Sequence, residues 1–362
     1  MLQQHHKEPD GYRGLAILTV VLYHYFDGLK IFRAGWIGVD LFFTLSAFLI
    51  TGRLLETYAP QKKWTGFWVN RFLRIVPPLL LLFIVYFLVF PMIAPETIAH
   101  DIRVNTEDKW WYFSFTQNWL YVRDGYPAVP HLAYLWSLAV QVQFYVILFI
   151  IIRITRNPKY LLVIFLLLGF AAAILRTNMS FEATGGSFAH YMYNTFTRMD
   201  TFAGGVVLYC LLAMNKVKQW QAGLLFFVSV FLLAAIFFMR KGFDFTDPVV
   251  AGPGILLVAP AATTLLYFMF VSRPQWLGRI ARSSVLVFTG RISYGLYLFH
   301  IPVFLFLSGR LYGQFVSITG TGLLSESLAA AVCLAISFTA AWFSYRFMES
   351  KILAARKNDQ QD

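Results

Sequence analysis

Ten apolar stretches recur along the chain, at about 13–29, 36–55, 75–94, 132–152, 160–176, 195–213, 221–239, 252–271, 284–307 and 323–347. Each is close to the roughly 20 residues that a helix needs to cross a bilayer's hydrocarbon core. A backbone in lipid must satisfy its own hydrogen bonds, so this many spans restrict the chain to a helical bundle. Composition agrees, since 58% of the 362 residues are hydrophobic and only 13% are charged, which is too apolar for a soluble domain. The expected fold is an all-α integral membrane protein of about ten transmembrane helices. No internal repeat or low-complexity segment divides it, so one membrane domain is expected over 1–352, followed by a short polar tail at 353–362. Neither a cleavable leader nor a fused soluble domain is expected at its ends.

The net charge of +12 lies in short clusters between the apolar runs. Arg53, Lys62, Lys63, Arg71 and Arg74 form one cluster; Arg153, Arg156 and Lys159 form the next, and Lys216 with Lys218 a third. Arg273, Arg279 and Arg282 follow, and the intervening connections are poorer in Lys and Arg. The positive-inside rule then places both termini in the cytoplasm and accounts for the charge without a nucleic-acid partner. Cys210 and Cys333 lie inside apolar spans, so no disulfide framework or metal site is expected. The longest outer connection, about 95–131, carries Trp110, Trp111, Tyr112, Trp119, Tyr121 and Tyr126, which reads as an interfacial aromatic belt.

The first span holds the chemistry-bearing residues that stand out most. Arg13 and His24 are eleven residues apart, about 16 Å along a helix axis, or half of the hydrocarbon core. Ionisable groups at such depth are costly and usually functional. Asp40, Gln141, Gln143 and His300 reach similar depth from three other spans, and Arg198 with Asp200 turns the sixth span toward the interior. Ser293, Tyr297 and His300, spaced i, i+4, i+7, share a helix face. At the cytoplasmic ends stand Arg13, Arg71, Arg74 and Glu349. Guanidinium groups suit phosphate recognition, although taken alone these are explained by positive-inside charge and lipid headgroup contact. Buried polar groups of this kind also line transport pathways, so a transporter or flippase of lipid-linked glycans is the rival reading.

Six motifs in order decide between the two. They are DGYRGLAILTVVLYH with Arg13 and His24, GWIGVDLFFTLSAFLIT at 35–51 with Asp40 and Ser46, and NRFLRIVPP with Arg71 and Arg74. LWSLAVQVQFY at 135–145, RMDTFAGG at 198–205 and GRISYGLYLFHIPV at 290–303 follow. From about residue 10 to 349 the chain resembles the membrane-bound acyltransferase 3 family, bacterial proteins that O-acylate surface glycans and other membrane-associated acceptors. The resemblance implies a ten-helix core and an acyl-CoA donor, with acetyl-CoA the expected form and no metal. It makes His24 the catalytic residue; we read His24 as general base, with nucleophile the alternative, and Asp40 as orienting or charge-balancing it. Arg13 becomes important for donor use, and Arg71 and Arg74 join it as candidates for holding the donor phosphates. Gln141, Arg198, Ser293, Tyr297 and His300 are the candidates for substrate binding.

Three positions depart from the family pattern. Gln141 stands where a glutamate is usual, and an amide cannot accept a proton as a carboxylate would. Ala47 replaces the usual glycine after Ser46, and Ser350 stands where a proline often follows Glu349. The reading is a multi-pass O-acyltransferase of the bacterial inner membrane, acting on lipopolysaccharide, another surface polysaccharide or a lipid-linked sugar. A catalytically weakened relative serving as a partner is the alternative that Gln141 keeps open.

Overall fold

The computed structural model describes residues 7–26, 28–57, 64–93, 96–127, 129–183 and 188–351. Lys62, Lys63 and the tail at 353–362 lie outside the described residues. Seventeen α-helices and several short 3₁₀ and π turns make up the described part, and no strand occurs among the described residues. The chain opens with α1 (Glu8–Tyr25), α2 (Gly38–Gly52) and α3 (Thr65–Ile84). Four short helices follow: α4 (Phe90–Ile93), α5 (Glu96–Glu107), α6 (Lys109–Phe113) and α7 (Gln117–Asp124). Next come α8 (Trp136–Ile154), α9 (Pro158–Glu182), the single turn α10 (Ala189–Met192), α11 (Met199–Ala213), α12 (Gln219–Met239) and α13 (Ile255–Tyr267). The chain continues through α14 (Gln275–Ala281), α15 (Ser284–Arg291), α16 (Ser293–Thr319) and α17 (Leu323–Ser344).

Nine helices among the described residues are long and apolar enough to cross a membrane, beginning with the segment Lys30–Glu56. The tenth expected span is α1, which packs on α2, α15 and α16 inside the same bundle. It falls short of the apolar nine because its 18 residues include Glu8, Asp10 and Arg13. The third and ninth spans differ most from the sequence reading, and the ninth runs on to Thr319 where an end near 307 was expected. The third span begins at Thr65, not near 75, because TGFWVNRFLR continues the helix with its arginines on one side. The ninth is broken at Ile292, so that GRISYG turns between α15 and α16.

Local chemistry explains the ends. Pro9 near the first helical position and two acids in the first turn start α1. Asn157 caps α9 by accepting from the Lys159 N–H, with Pro158 next to it. Glycines permit the closest approaches. A Cβ on Gly290 would lie 1.7 Å from Asp10 O, and one on Gly14 would lie 2.1 Å from Leu286 O. Bundles in lipid rely on such small residues for contact between helices. Ala47 is accommodated in the same way: its methyl meets Gly205 of α11, where a Cβ would be only 2.8 Å away.

The interior is aromatic. Phe43, Phe202 and Phe144 stack with ring centroids 4.2 and 4.0 Å apart and tie α2, α11 and α8 together. The outer surface is apolar as well, with Phe227 and Phe231 of α12 both 72% exposed, as expected of a face solvated by lipid. The π turn Tyr345–Glu349 after α17 packs on α3. Both described ends of the chain therefore lie at one end of the bundle, together with Arg13 and Arg74.

The stretch expected to form an interfacial belt is a folded cap. Tyr112 and Tyr121 are buried with their hydroxyls 2.9 Å apart. Gln143 Oε1 accepts from Trp119 Nε1 at 3.0 Å and from Thr195 Oγ1 at 2.5 Å, while its amide donates to Phe115 O and Asn118 Oδ1. Gln143 is thus a latch for the cap, not a member of a buried chamber with Gln141. Two residues apart on a helix, the two amides point to opposite sides.

Candidate active site

A cavity of about 100 Å³ opens between α1, α2, α3, α8 and α16. Its walls are helical stripes. On α2 the lining residues are Val39, Phe42, Phe43, Ser46, Leu49, Ile50 and Arg53, a run of three- and four-residue steps that keeps one face inward. α3 contributes Arg71, Arg74 and Ile75, α8 contributes Ser137, Leu138, Gln141 and Tyr145, and α16 contributes Ser293, Tyr294 and Tyr297. Arg13 and Val20 come from α1. Six of the expected site residues, Arg13, Arg71, Arg74, Gln141, Ser293 and Tyr297, thus line this cavity, and Arg53 adds a fourth guanidinium that the sequence reading places among loop charges. Its i+7 spacing from Ser46 is the signal that would have found it.

The arginines gather at one end. Arg13 Nη1 lies 3.0 Å from Asp10 Oδ1, and Arg291 Nε lies 3.5 Å from the other oxygen of the same carboxylate. The Arg71 guanidinium sits 5.8 Å from the ring centres of both Phe67 and Tyr145, within cation–π range. Just ahead of the apolar part of α1, Arg282 Nη1 donates to Glu8 Oε1 at 3.2 Å.

Neutral groups hold the inner wall. Gln141 Nε2 donates to Ser46 Oγ at 2.7 Å and to the Tyr145 hydroxyl. Tyr297 donates its hydroxyl proton to Tyr134 O, so Ser137 Oγ, 2.9 Å away, donates to Tyr297. Tyr294 donates to Ile75 O at 2.6 Å.

His24 stands one turn beyond Val20 on the same side of α1, and His300 meets it. His300 Nε2 lies 3.2 Å from His24 Nδ1, and His300 is fully buried. The other ring nitrogen of His300 lies 2.7 Å from Tyr297 O and 3.2 Å from Leu296 O. Carbonyls only accept, so the neutral ring carries its proton on Nδ1 and offers a lone pair at Nε2. That lone pair accepts a hydrogen bond from His24 Nδ1–H, which makes His24 Nε2 the basic nitrogen of the pair. Ser293, Tyr297 and His300 share a face as expected. The first two reach the cavity, and His300 reaches His24.

The dyad is propped by residues that the sequence reading passed over. Pro302 has no N–H to return to Leu298 O, and the Tyr134 hydroxyl donates to that carbonyl instead, at 2.6 Å. Tyr25 donates to His300 O at 2.6 Å and lies 2.7 Å from Ser337 Oγ, which links α1, α16 and α17. Pro302 marks Leu298 O, four residues earlier, as a carbonyl that needs another donor, but the sequence does not name that donor, because Tyr134 is 164 residues away.

Asp40, expected to orient or charge-balance His24, and Arg198, expected at the substrate, meet each other in the structure. Both are fully buried and paired to each other, with Thr201 Oγ1 donating to Asp40 Oδ1 at 3.1 Å. Arg176 and Asp200 form a second buried pair at 2.7 Å, and Arg176 also donates to Thr197 O and Ala251 O. Two arginines and two aspartates balance inside the bundle, because a buried charge is stable only when paired. His300 is the ring that faces His24 Nδ1.

Residues 6–346 match a family described as an acyltransferase domain, acyltransferase 3. The peptidoglycan O-acetyltransferase OatA of Listeria monocytogenes is 29% identical over 96% of this chain and 55% of its own length. A Staphylococcus aureus protein named for O-acetyl transfer is 28% identical over 94% of this chain and 56% of its own length. YrhL of Bacillus subtilis, named for O-acetyl transfer to peptidoglycan, is 28% identical over 83% of this chain and 49% of its own length. The chain thus spans about half the length of these relatives. No solved structure matches it.

Proposed function

This chain belongs to the acyltransferase 3 family, and from that premise we propose that it is a membrane O-acetyltransferase. It moves an acetyl group from acetyl-CoA to a hydroxyl of a cell-surface glycan or a lipid-linked sugar. The observation that carries the reading is the cavity into which Arg13, Arg53, Arg71 and Arg74 converge from three helices, below a histidine pair. Four guanidinium groups at one mouth suit the phosphates of a nucleotide-bearing donor. The cavity of about 100 Å³ is well below the ~300–1,000 Å³ of pockets that enclose whole ligands. It suits a narrow arm whose phosphates stay outside among the arginines. By the distribution of loop charges, that mouth faces the cytoplasm of a bacterium, and the acceptor reaches His24 from the opposite face.

His24 Nε2 takes the proton of the acceptor hydroxyl as the oxygen attacks the thioester carbonyl carbon. Collapse of the tetrahedral intermediate breaks the C–S bond. The imidazolium returns its proton to the departing sulfur, and CoA leaves as the thiol. His300 holds the His24 tautomer, the part that a buried carboxylate plays in a hydrolytic triad. The amino-sugar polymer named for two relatives makes peptidoglycan fragments the first acceptor to try.

The test is release of CoA from acetyl-CoA by purified protein in liposomes, with peptidoglycan fragments present. Turnover by the wild type that vanishes in His24→Ala supports the reading. Acetyl-CoA binding without turnover under any acceptor, with His24→Ala behaving identically, overturns it.

A further inference from the structure

On the side of the bundle away from α1, an apolar groove of about 910 Å³ runs between α3, α16 and α17. Leu82 and Val85 form one wall, Phe299 and Phe306 the floor, and Phe343 with Phe347 the other wall. Arg310 is the one ionisable residue among the described residues that line it. The Arg310 side chain is exposed, with no hydrogen bond or ion pair among the described residues. Gly309, next to it, leaves the groove open, since a Cβ built there meets nothing within 4 Å.

We propose that this groove binds one anionic phospholipid, with the headgroup phosphate on Arg310 and an acyl chain along the phenylalanine-lined floor. Length supports the assignment. Eleven residues of α16 separate Phe299 from Arg310, about 16 Å, so the stretch of groove from Arg310 down to Phe299 matches one leaflet's hydrocarbon layer, and Phe347 continues it toward the arginine-mouth end. Depth agrees: Ser293 lines the arginine-mouthed cavity, and Arg310 lies 17 residues further on, about 25 Å away near the opposite face. The headgroup therefore belongs to the leaflet opposite the arginine mouth. Charge decides the lipid class, because a lone guanidinium at a membrane face has no counter-ion of its own and pairs strongly with phosphate. The walls argue against a partner helix. Close helix association in lipid uses small residues along the contact, and here phenylalanine rings outnumber the small Gly309, Ala340 and Ser344, a lining suited to a flexible chain. The inference stands apart from the acetyl-transfer reading, since it concerns binding on the far side of α16.

Native mass spectrometry of the purified chain with phosphatidylglycerol or phosphatidylcholine of identical chains tests it. The wild type is expected to retain one phosphatidylglycerol at a concentration at least tenfold lower than phosphatidylcholine. Arg310→Gln, an exposed substitution that leaves packing intact, removes that preference. Gly309→Phe places a ring in the groove and loses retention of both lipids. Equal retention of the two lipids by the wild type, or an undiminished preference in Arg310→Gln, overturns the proposal. So does a wild-type dimer that Gly309→Phe dissolves, which would make a second copy the occupant.

Discussion

His300 Nε2 lies 3.2 Å from His24 Nδ1, and the carbonyl of Tyr297, 2.7 Å from the far side of the His300 ring, decides which nitrogens carry protons. The order of protons runs from carbonyl to His300 to His24 and ends at a basic nitrogen on His24. His300→Phe keeps the ring volume and removes the acceptor, so His24 loses its fixed tautomer. Positioned general bases contribute about 10²–10⁴-fold, and a fall of that order in kcat is expected with KM for acetyl-CoA nearly unchanged. His300→Gln, whose side-chain oxygen can accept from His24 Nδ1, is expected to recover at least tenfold over His300→Phe. Steady-state CoA release across pH 5–9 reads both, with the acid limb displaced in the variants if His300 acts through His24. A parallel rise in KM would assign His300 to donor binding instead.

The arginine mouth makes a different forecast. Each charge-assisted contact to phosphate is worth about 1.5–3 kcal/mol, or roughly 10- to 100-fold in affinity. Arg53→Ala and Arg74→Ala are expected to raise KM for acetyl-CoA within that range and to leave kcat within about threefold. Acetyl-pantetheine, which has the thioester arm and no phosphate, should be a poor substrate for the wild type and equally poor for both variants. Variants that weaken the two substrates alike would place these arginines outside phosphate recognition.

Hydropathy made nine of the spans legible because a long apolar run has few alternatives in lipid. α1 was legible as an apolar run from about residue 13, but its start at Glu8 was not, since Glu8, Asp10 and Arg13 lower the apolarity of its first turns. The start of α3 was missed because arginines on one side of a helix look like a loop to an average over all sides. The cavity was partly legible: Arg13, Arg71, Arg74, Gln141, Ser293 and Tyr297 all line it. Partner choice was not. Asp40 and Arg198 are 158 residues apart, and depth along two helices does not tell which faces meet. The same limit hid Tyr134, whose hydroxyl finds a carbonyl that Pro302 leaves without its helical donor.

Gln141 shows how a neutral residue fits where a carboxylate is usual. Its amide donates to Ser46 Oγ and to the Tyr145 hydroxyl, so both hydroxyls keep their protons for other acceptors. A glutamate of equal size would reverse both bonds. Because the base assigned here is His24 with His300 behind it, Gln141→Glu is expected to keep activity within about tenfold of wild type. Gln141→Leu, which leaves both hydroxyls without their donor, should cost more than Gln141→Glu does. Activity that rises a hundredfold or more in Gln141→Glu would show that the amide suppresses a catalyst needing a carboxylate.

The buried quartet should matter to stability and not to chemistry. Arg198 places its guanidinium 5.7 Å from the Trp136 ring centre and 6.0 Å from that of Phe43, and its remaining charge is balanced by Asp40. Removing one partner of such a pair leaves an uncompensated buried charge, at a cost of about 3–5 kcal/mol. Asp40→Ala is therefore expected to lower Tm in detergent sharply, and Asp40→Asn, which retains an acceptor oxygen, to lower it less. The double change Asp40→Leu with Arg198→Met removes both charges and should recover most of the loss, since apolar replacement of a whole buried pair is often neutral. Thermal unfolding of the four proteins, with CoA release measured on those that remain folded, separates the outcomes. If the double variant is as stable as wild type and turns over acetyl-CoA, the pair is a structural brace between α2 and the turn entering α11. If it is stable and inactive, Asp40 or Arg198 acts in the reaction itself, and the brace is only half of its role.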